Sequence, residues 1–188
     1  MAELSKWDTI YRHKLAEPSA SLVLEQNQYL LPSQGEALDL ACGQGGNALL
    51  LAEKGLTVSA WDNSSIAIEQ LTSRAKARSL SIDAQVRDVA QNPPKQDSLD
   101  VIVISYFLDR ALCPLLVKAL RPNGLLFYQT YCQQKVQLQG PRNPEFLLKN
   151  NELLSLFSPM NVRVYREEAL LGDLEQGWRN QALLVAER

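Results

Sequence analysis

The stretch Ala37-Leu38-Asp39-Leu40-Ala41-Cys42-Gly43-Gln44-Gly45-Gly46-Asn47-Ala48-Leu49-Leu50-Leu51-Ala52 decides the fold by the order of its residue types. Ala37–Leu40 reads as a short buried strand with a carboxylate, Asp39, near its end. Glycines follow, and then an apolar helix, Gly46–Lys54, which Gly55 terminates. Glycine admits positive φ and lets the backbone pass close to a ligand. In open α/β sheets, ligands lie beyond the carboxyl ends of the strands, where strand order reverses. Asp39, Gly43 and Gly45 are therefore candidates to line a ligand site. A tight strand-to-helix turn with no ligand would use the same residues.

Outward from this stretch the chain alternates. Toward the N-terminus, Ser5–Leu15 reads as a short polar helix or coil carrying Trp7 and Tyr11, and Ser19–Tyr29 as a helix stopped by Pro32. Toward the C-terminus come a strand Thr57–Trp61, a helix Ser64–Arg78 capped by Asn63 or Ser64, and strands Ile82–Val86 and Leu99–Ser105. A helix Arg110–Leu120 follows, with Pro114 near its first turn, where proline is tolerated. Arg121–Gly124 is a turn and Leu125–Thr130 a fifth strand. Strands alternating with helices predict a parallel sheet covered on both faces. The tail differs: a helix Asn151–Phe157, a strand Asn161–Glu167, a loop Gly172–Asn180 and a strand Ala182–Glu187. Two strands joined without a helix predict an antiparallel hairpin at the sheet edge.

The bulk numbers bound the function. A length of 188 residues with 46% hydrophobic residues fits a single domain. Net charge is −2, from 19 basic and 21 acidic residues, and no basic run is present. Bulk nucleic-acid binding, which needs clustered Lys and Arg, is not expected. The first residues lack the charged-then-apolar pattern of a signal peptide, and no apolar run reaches the ~18 residues of a membrane span. Cys42, Cys113 and Cys132 form an odd, scattered set that suits a reducing cytoplasm. They lack zinc-ligand spacing, and His13 is the only histidine, so no metal site is expected. The expected molecule is a cytoplasmic monomer or homodimer with a small-molecule partner.

Two further acids accompany the glycine loop. Asp62 closes the strand Thr57–Trp61, where a carboxylate can accept both hydroxyls of a ribose; capping the next helix is the other use of an acid there. Asp88 follows the strand Ile82–Val86, where it can accept from the exocyclic amine of adenine, while Val89 offers a backbone N–H to a ring nitrogen. A nicotinamide dinucleotide is one reading. Gly43–Ala48 satisfies G-x-G-x-x-G/A, and Asp62 lies about 20 residues on. Against it, Asp39 precedes the glycines: it would repel a pyrophosphate but suits the ammonium of S-adenosylmethionine (SAM). Asp88 adds the adenine contact, and the tail hairpin does not match a second mononucleotide half.

The stretch Ala37–Ala52 resembles the first motif of class I SAM-dependent methyltransferases, and most closely the tellurite-resistance-type, thiopurine-methyltransferase-like group. The likeness extends over Trp7–Tyr11, Ala60–Ser64, Asp88, Leu108–Pro114, Arg121–Thr130 and Gly140–Leu148. It implies a Rossmann-like three-layer sandwich, a seven-stranded sheet of order 3-2-1-4-5-7-6 with strand 7 antiparallel. It also implies one methyltransferase domain over 1–188, with segment 1–33 covering the cofactor. By position, Asp39 faces the methionine end, Gly43 and Gly45 pass under the cofactor, Asp62 holds the ribose and Asp88 the adenine. Ser105 and Tyr106 lie beside the methionine and sulfonium. Trp7, Tyr11, Ala41, Asn47, Asn63 and Val89 complete the cofactor set. Two departures stand out. Ala41 replaces a glycine of the commoner loop, a mild change provided its φ stays negative. Gly46 stands where tellurite-type members often carry arginine before Asn47.

Methyl transfer relies on proximity and alignment, and a soft nucleophile needs no strong base. Accordingly, no catalytic triad is apparent. Asn92-Pro93-Pro94-Lys95 looks like the loop of base amino-methyltransferases, but it precedes the fourth strand and lacks the aromatic. After that strand, Ser105–Arg110 holds no amide or acid to orient an exocyclic amine. The acceptor wall is expected from Tyr11, Tyr106, Phe107, Tyr131 and Arg142, with Tyr106, Tyr131 and Arg142 as the catalytic candidates. Arg142 lies in the rigid loop Gly140–Pro144 and could hold an anion. The expected activity is methyl transfer to a small molecule, anionic or bearing a soft sulfur or chalcogen nucleophile. The alternatives are a protein or RNA acceptor, or a SAM-binding module without catalysis.

Overall fold

The computed structural model describes residues 6–13 and 16–188. Its sheet has seven strands: β1 (Glu36–Leu40), β2 (Thr57–Asp62), β3 (Ile82–Val86), β4 (Leu99–Ser105), β5 (Leu120–Tyr131), β6 (Asn161–Arg166) and β7 (Gln181–Glu187). They lie in the order β3-β2-β1-β4-β5-β7-β6. The first five pair in parallel; β7 is antiparallel to both β5 and β6, which is the expected tail hairpin. Chain order reverses between β1 and β4, so the crevice for a ligand opens after their carboxyl ends.

The strands read as near-continuous apolar runs because both faces are covered. Period-two alternation then sends neighbours to opposite sides. Leu38, Leu40, Ile102, Ile104, Leu126, Tyr128 and Leu184 pack under α5 (Cys113–Ala119) and α6 (Glu152–Leu156). Ala37, Val101, Val103, Phe127, Leu183 and Val185 pack under α2 (Leu22–Asn27), α3 (Gly46–Glu53) and α4 (Ser65–Ala77). The remaining helix, α1 (Lys6–Arg12), lies against α4. Among the described residues, no helix is long and apolar enough to cross a membrane.

Several boundaries differ from expectation. Ser5, Lys14 and Leu15 of the first segment lie outside the described residues. The second helix starts only at Leu22, because Ser21 N donates to Asn47 instead of extending it. Arg110–Leu112 is a turn, because the Asp109 carboxylate accepts from Ala111 N (2.9 Å) and Arg110 is drawn away to Glu152. The expected turn at Arg121–Gly124 is absorbed into β5 with a register shift against β4, its backbone held by Arg188.

Ala41 overturns one expectation outright: its φ is 55°. A left-handed alanine costs ~1–2 kcal/mol, partly offset in any glycine variant by greater freedom of the unfolded chain. Ala41→Gly is therefore expected to stabilise the chain by about 0.5–1 kcal/mol in urea denaturation. A destabilised variant would mean that the Ala41 methyl, which packs against the α5–α6 side of the core, outweighs the strain.

Candidate active site

The turn from β1 into α3 is built on left-handed backbone, with φ of 55° at Ala41, 52° at Gly43 and 83° at Gly45. Gly43 N donates to Asp62 Oδ2 at 2.8 Å, and Ser64 N donates to Asp62 Oδ1 at 2.9 Å. Asp62 thus ties the glycine loop to the start of α4, where Ser64 is the N-cap, its Oγ accepting from Ala67 N. The ribose and capping uses expected of Asp62 are compatible, since each oxygen keeps a lone pair. Burial raises the Asp62 pKa above the ordinary carboxylate range, and the backbone donors only partly restore it. Asn63 is exposed beside it.

Asp39 lies beneath the loop with no exposed surface. Its oxygens accept from Ala48 N at 3.0 Å and from Asn47 Nδ2 at 3.3 Å. Asn47 is a hub. Its Nδ2 also reaches Ser105 Oγ (3.0 Å), and its Oδ1 accepts from Ser21 N (2.8 Å) and Ser21 Oγ (2.9 Å). One amide therefore joins the α2 entrance, β1 and β4. Burial lifts the Asp39 carboxyl to about 7, against the lowering pull of Asn47 and Ala48. Asp39 acts on the crevice through its charge rather than by presenting an oxygen at the surface. Cys42 is buried, and desolvation raises its thiol pKa well above the ordinary value, so it is no nucleophile at neutral pH.

The N-terminal helix covers this loop. An ideal Cβ at Gly43 would stand 2.7 Å from the Tyr11 hydroxyl oxygen, so glycine there gives room to the tyrosine. Trp7 stacks on Tyr11 with ring centroids 6.2 Å apart and stays 44% exposed. Gln70 Nε2 donates to Tyr11 O (3.1 Å). Asp8 was not among the expected residues, yet it is buried and accepts from Ser64 Oγ at 2.6 Å, fastening α1 to the cap of α4. Its only sequence signal is that it sits one turn before Tyr11.

Asp88 is exposed and closes a turn on itself, accepting from Ala90 N (3.0 Å), Gln91 N (3.4 Å) and Gln91 Nε2 (2.8 Å). The Val89 side chain points into the core. Nearby, Arg87 lies 3.7 Å over the Trp61 ring, and the buried Trp61 Nε1 has no hydrogen-bond partner among the described residues.

On the β4–β5 side, Tyr106 has φ of 58° and its ring lies 5.2 Å from that of Tyr131. Gln129, absent from the expected set, is fully buried and donates through Nε2 to the Tyr106 hydroxyl (3.0 Å). Its signal was a polar side chain in the apolar run Leu125–Tyr131. Phe107 packs on the core instead, as ordinary packing predicts. The loop 140–147 folds over this side: a Cβ at Gly140 would meet the Tyr131 ring at 2.6 Å. Arg110 fixes that loop, donating to Glu145 O (2.6 Å), Leu147 O (3.0 Å) and the Glu152 carboxylate (2.7 Å). Arg142, on the same loop, is exposed and forms no hydrogen bond or ion pair among the described residues.

The arrangement fits SAM on one electrostatic ground. Asp39 and Asp62 are buried carboxylates, and among the described residues neither has a Lys, Arg or His within 4.0 Å. Uncompensated negative charge under a glycine loop attracts a cationic ligand and repels a pyrophosphate.

Comparison with known proteins agrees. Residues 37–124 match the family described as "Methyltransferase domain". A relative from Haemophilus influenzae, "Probable S-adenosyl-L-methionine-dependent methyltransferase TehB", is 31% identical over 88 residues. That segment is 46% of this chain but only 31% of the relative's length. The crystal structure of TehB from Haemophilus influenzae superposes with a TM-score of 0.73 at 21% identity, covering 98% of this chain and 67% of that one. A second solved structure, "Conversion of a Disulfide Bond into a Thioacetal Group during Echinomycin Biosynthesis", gives a TM-score of 0.71 at 21% identity, covering 97% and 91%. At those identities, the structural likenesses speak for the fold. Residues 37–124 are thus similar to a methyltransferase domain, and the fold of the chain is that of the solved structures. The relatives that this segment resembles are described as probable S-adenosyl-L-methionine-dependent methyltransferases.

Proposed function

We propose that this chain transfers a methyl group from SAM to a small acceptor that is anionic or carries a soft sulfur or chalcogen nucleophile. The observation that carries the reading is the pair of buried, uncompensated carboxylates, Asp39 and Asp62, under a glycine loop that opens beside Tyr106 and Tyr131. Gly43, Gly45, Asp62, Ser105 and the cover residues Trp7 and Tyr11 would hold the cofactor, with Asn63 and the Val89 backbone toward its base. Bound there, SAM supplies an electrophilic methyl group on a positively charged sulfur. Asp88 serves the adenine once its turn contacts with Gln91 are exchanged. Tyr106, Tyr131 and the free guanidinium of Arg142 form the acceptor wall, and the loop that Arg110 pins down keeps water out. The acidic balance of the chain favours a small acceptor over nucleic acid. The chain acts in the cytoplasm as a monomer or homodimer.

Tritiated-methyl transfer from SAM to a panel of small thiols and chalcogen oxyanions tests the reading, with protein and RNA fractions as competitors. Label appearing only in macromolecules overturns the acceptor class. Label nowhere, with SAM bound, leaves a non-catalytic SAM-binding module.

The raised carboxyls also give SAM binding a pH dependence. A cationic ligand selects the ionised form of Asp39, so affinity should rise as pH climbs through about 7. Between pH 6 and 8 the gain is expected to be about five- to tenfold, with proton release on binding. For the ligand-free chain the sign is opposite. The Asp39 and Asp62 pKa values are raised on folding, so stability falls as pH rises from the carboxylate range toward 7. Calorimetry in two buffers of different ionisation enthalpy reads both; a flat affinity profile refutes the coupling.

A further inference from the structure

We propose that Gln129 is a positioning residue that turns the Tyr106 hydroxyl outward as a hydrogen-bond donor, so that the site selects an anionic, lone-pair-rich acceptor such as a thiolate. This deepens the function proposed above and rests on its reading of Tyr106 as part of the acceptor wall.

The geometry leaves the Gln129 amide no freedom. Its Oε1 accepts from Val23 N at 2.8 Å. A backbone N–H can only donate, so that contact assigns oxygen and nitrogen of the amide. Both Nε2 hydrogens are then used, one on Gln181 Oε1 (2.7 Å) and one on Tyr106 Oη (3.0 Å). Tyr106 Oη is therefore an acceptor toward the protein. The Gln181 side chain also reaches the Tyr106 hydroxyl, but its Oε1 is already engaged by Gln129 Nε2, so the hydroxyl hydrogen is left to point outward from a residue that is 48% exposed.

Gln129 grips Tyr106 at both ends. The Tyr106 N–H donates to Gln129 O at 2.9 Å, which helps hold the residue at φ 58°. Strained backbone of this kind persists where the surroundings over-determine it, and it clusters at functional sites. The Tyr131 ring limits how far the Tyr106 ring can swing. Burial and the neighbouring Tyr131 raise the phenol pKa against the lowering pull of Gln181 and Gln129, so it stays protonated and can donate. A fixed donor at the wall binds an anion and leaves an N–H-bearing acceptor with an unmatched contact.

The probe is 5-thio-2-nitrobenzoate, a coloured aromatic thiolate. Its binding to the S-adenosylhomocysteine complex is measured by calorimetry, and its methylation by loss of colour. Tyr106→Phe and Gln129→Leu are each expected to raise KM and Kd for the thiolate about tenfold, and Gln129→Leu to change kcat and SAM affinity less than about twofold. The double variant should be no worse than either single one, because both remove one interaction. Gln129→Glu keeps the size but can only accept; it should draw the hydroxyl hydrogen inward and give the same loss. Gln129 variants that lower kcat or melting temperature while leaving the thiolate KM unmoved overturn the proposal. A second readout needs no acceptor: the 13Cζ resonance of labelled Tyr106, assigned by its absence in Tyr106→Phe. It should shift in Gln129→Leu, and an unmoved resonance also overturns the proposal. If the wild type neither binds nor methylates the thiolate, the acceptor class fails, and the resonance then decides the positioning of Tyr106 by itself.

Discussion

Asp62→Ala is expected to weaken SAM binding at least tenfold and to destabilise the ligand-free chain by about 2–3 kcal/mol. Both effects follow from what the carboxylate holds. Asp62 accepts from Gly43 N and Ser64 N, so its loss orphans two N–H groups and frees the glycine loop from the start of α4. The tyrosine cover over Gly43 then loses the surface against which it packs. Asp62→Asn separates the two contributions, because an amide keeps one acceptor. It should recover part of the stability but not the affinity, since the negative charge is gone. Calorimetry with SAM and urea denaturation read the two effects. Wild-type affinity in Asp62→Ala would sink the ribose role, whatever happened to stability.

Gly46→Ala is expected to cost about 2–3 kcal/mol, although alanine favours helices. An ideal Cβ at Gly46 would lie 2.5 Å from the Ser19 carbonyl carbon and 3.1 Å from Ala20 N, and closer still to the Ser19 oxygen. These are backbone atoms, which cannot rotate away. The segment before α2 would have to lift, and with it Ser21, whose two hydrogen bonds orient Asn47. Gly46→Arg, a far larger side chain, should prevent native folding or leave an expanded, weakly cooperative state. In this chain, room for that arginine would require a different path for residues 19–21. Thermal melting is the direct check. Gly46→Ala melting within ~2 °C of wild type would show that the segment is loose rather than wedged.

The fold was largely legible in the sequence because its signals are local. The apolar runs, the glycines at Gly43–Gly46, the Ser64 cap and the helix-free tail each specify structure within a few residues. What was missed depends on distant partners. Asp8 meets Ser64 across 56 positions and Gln129 meets Val23 across 106, and no window of sequence shows either. Backbone sign was equally hidden: nothing beside Ala41 announces a left-handed alanine. Asp39 shows the limit from the other side. Its position beside the loop was readable, but its complete enclosure under Asn47 and Ala48 depends on α3 folding back over β1. Asp88 was readable as an acid at a strand end, whereas its turn with Gln91 depends on rotamers.

The pairing of Arg188 with Asn123 and Gly124 has a practical side. Tyr131, at the crevice end of β5, sits opposite Gln181, so the seven residues of β7 carry the chain to the far end of the sheet, roughly 20 Å away. Chain attached after Arg188 would emerge from the floor of the molecule. A sensor surface or a fused reporter coupled there would leave the crevice facing bulk solution, whereas coupling ahead of α1 would load the cover itself.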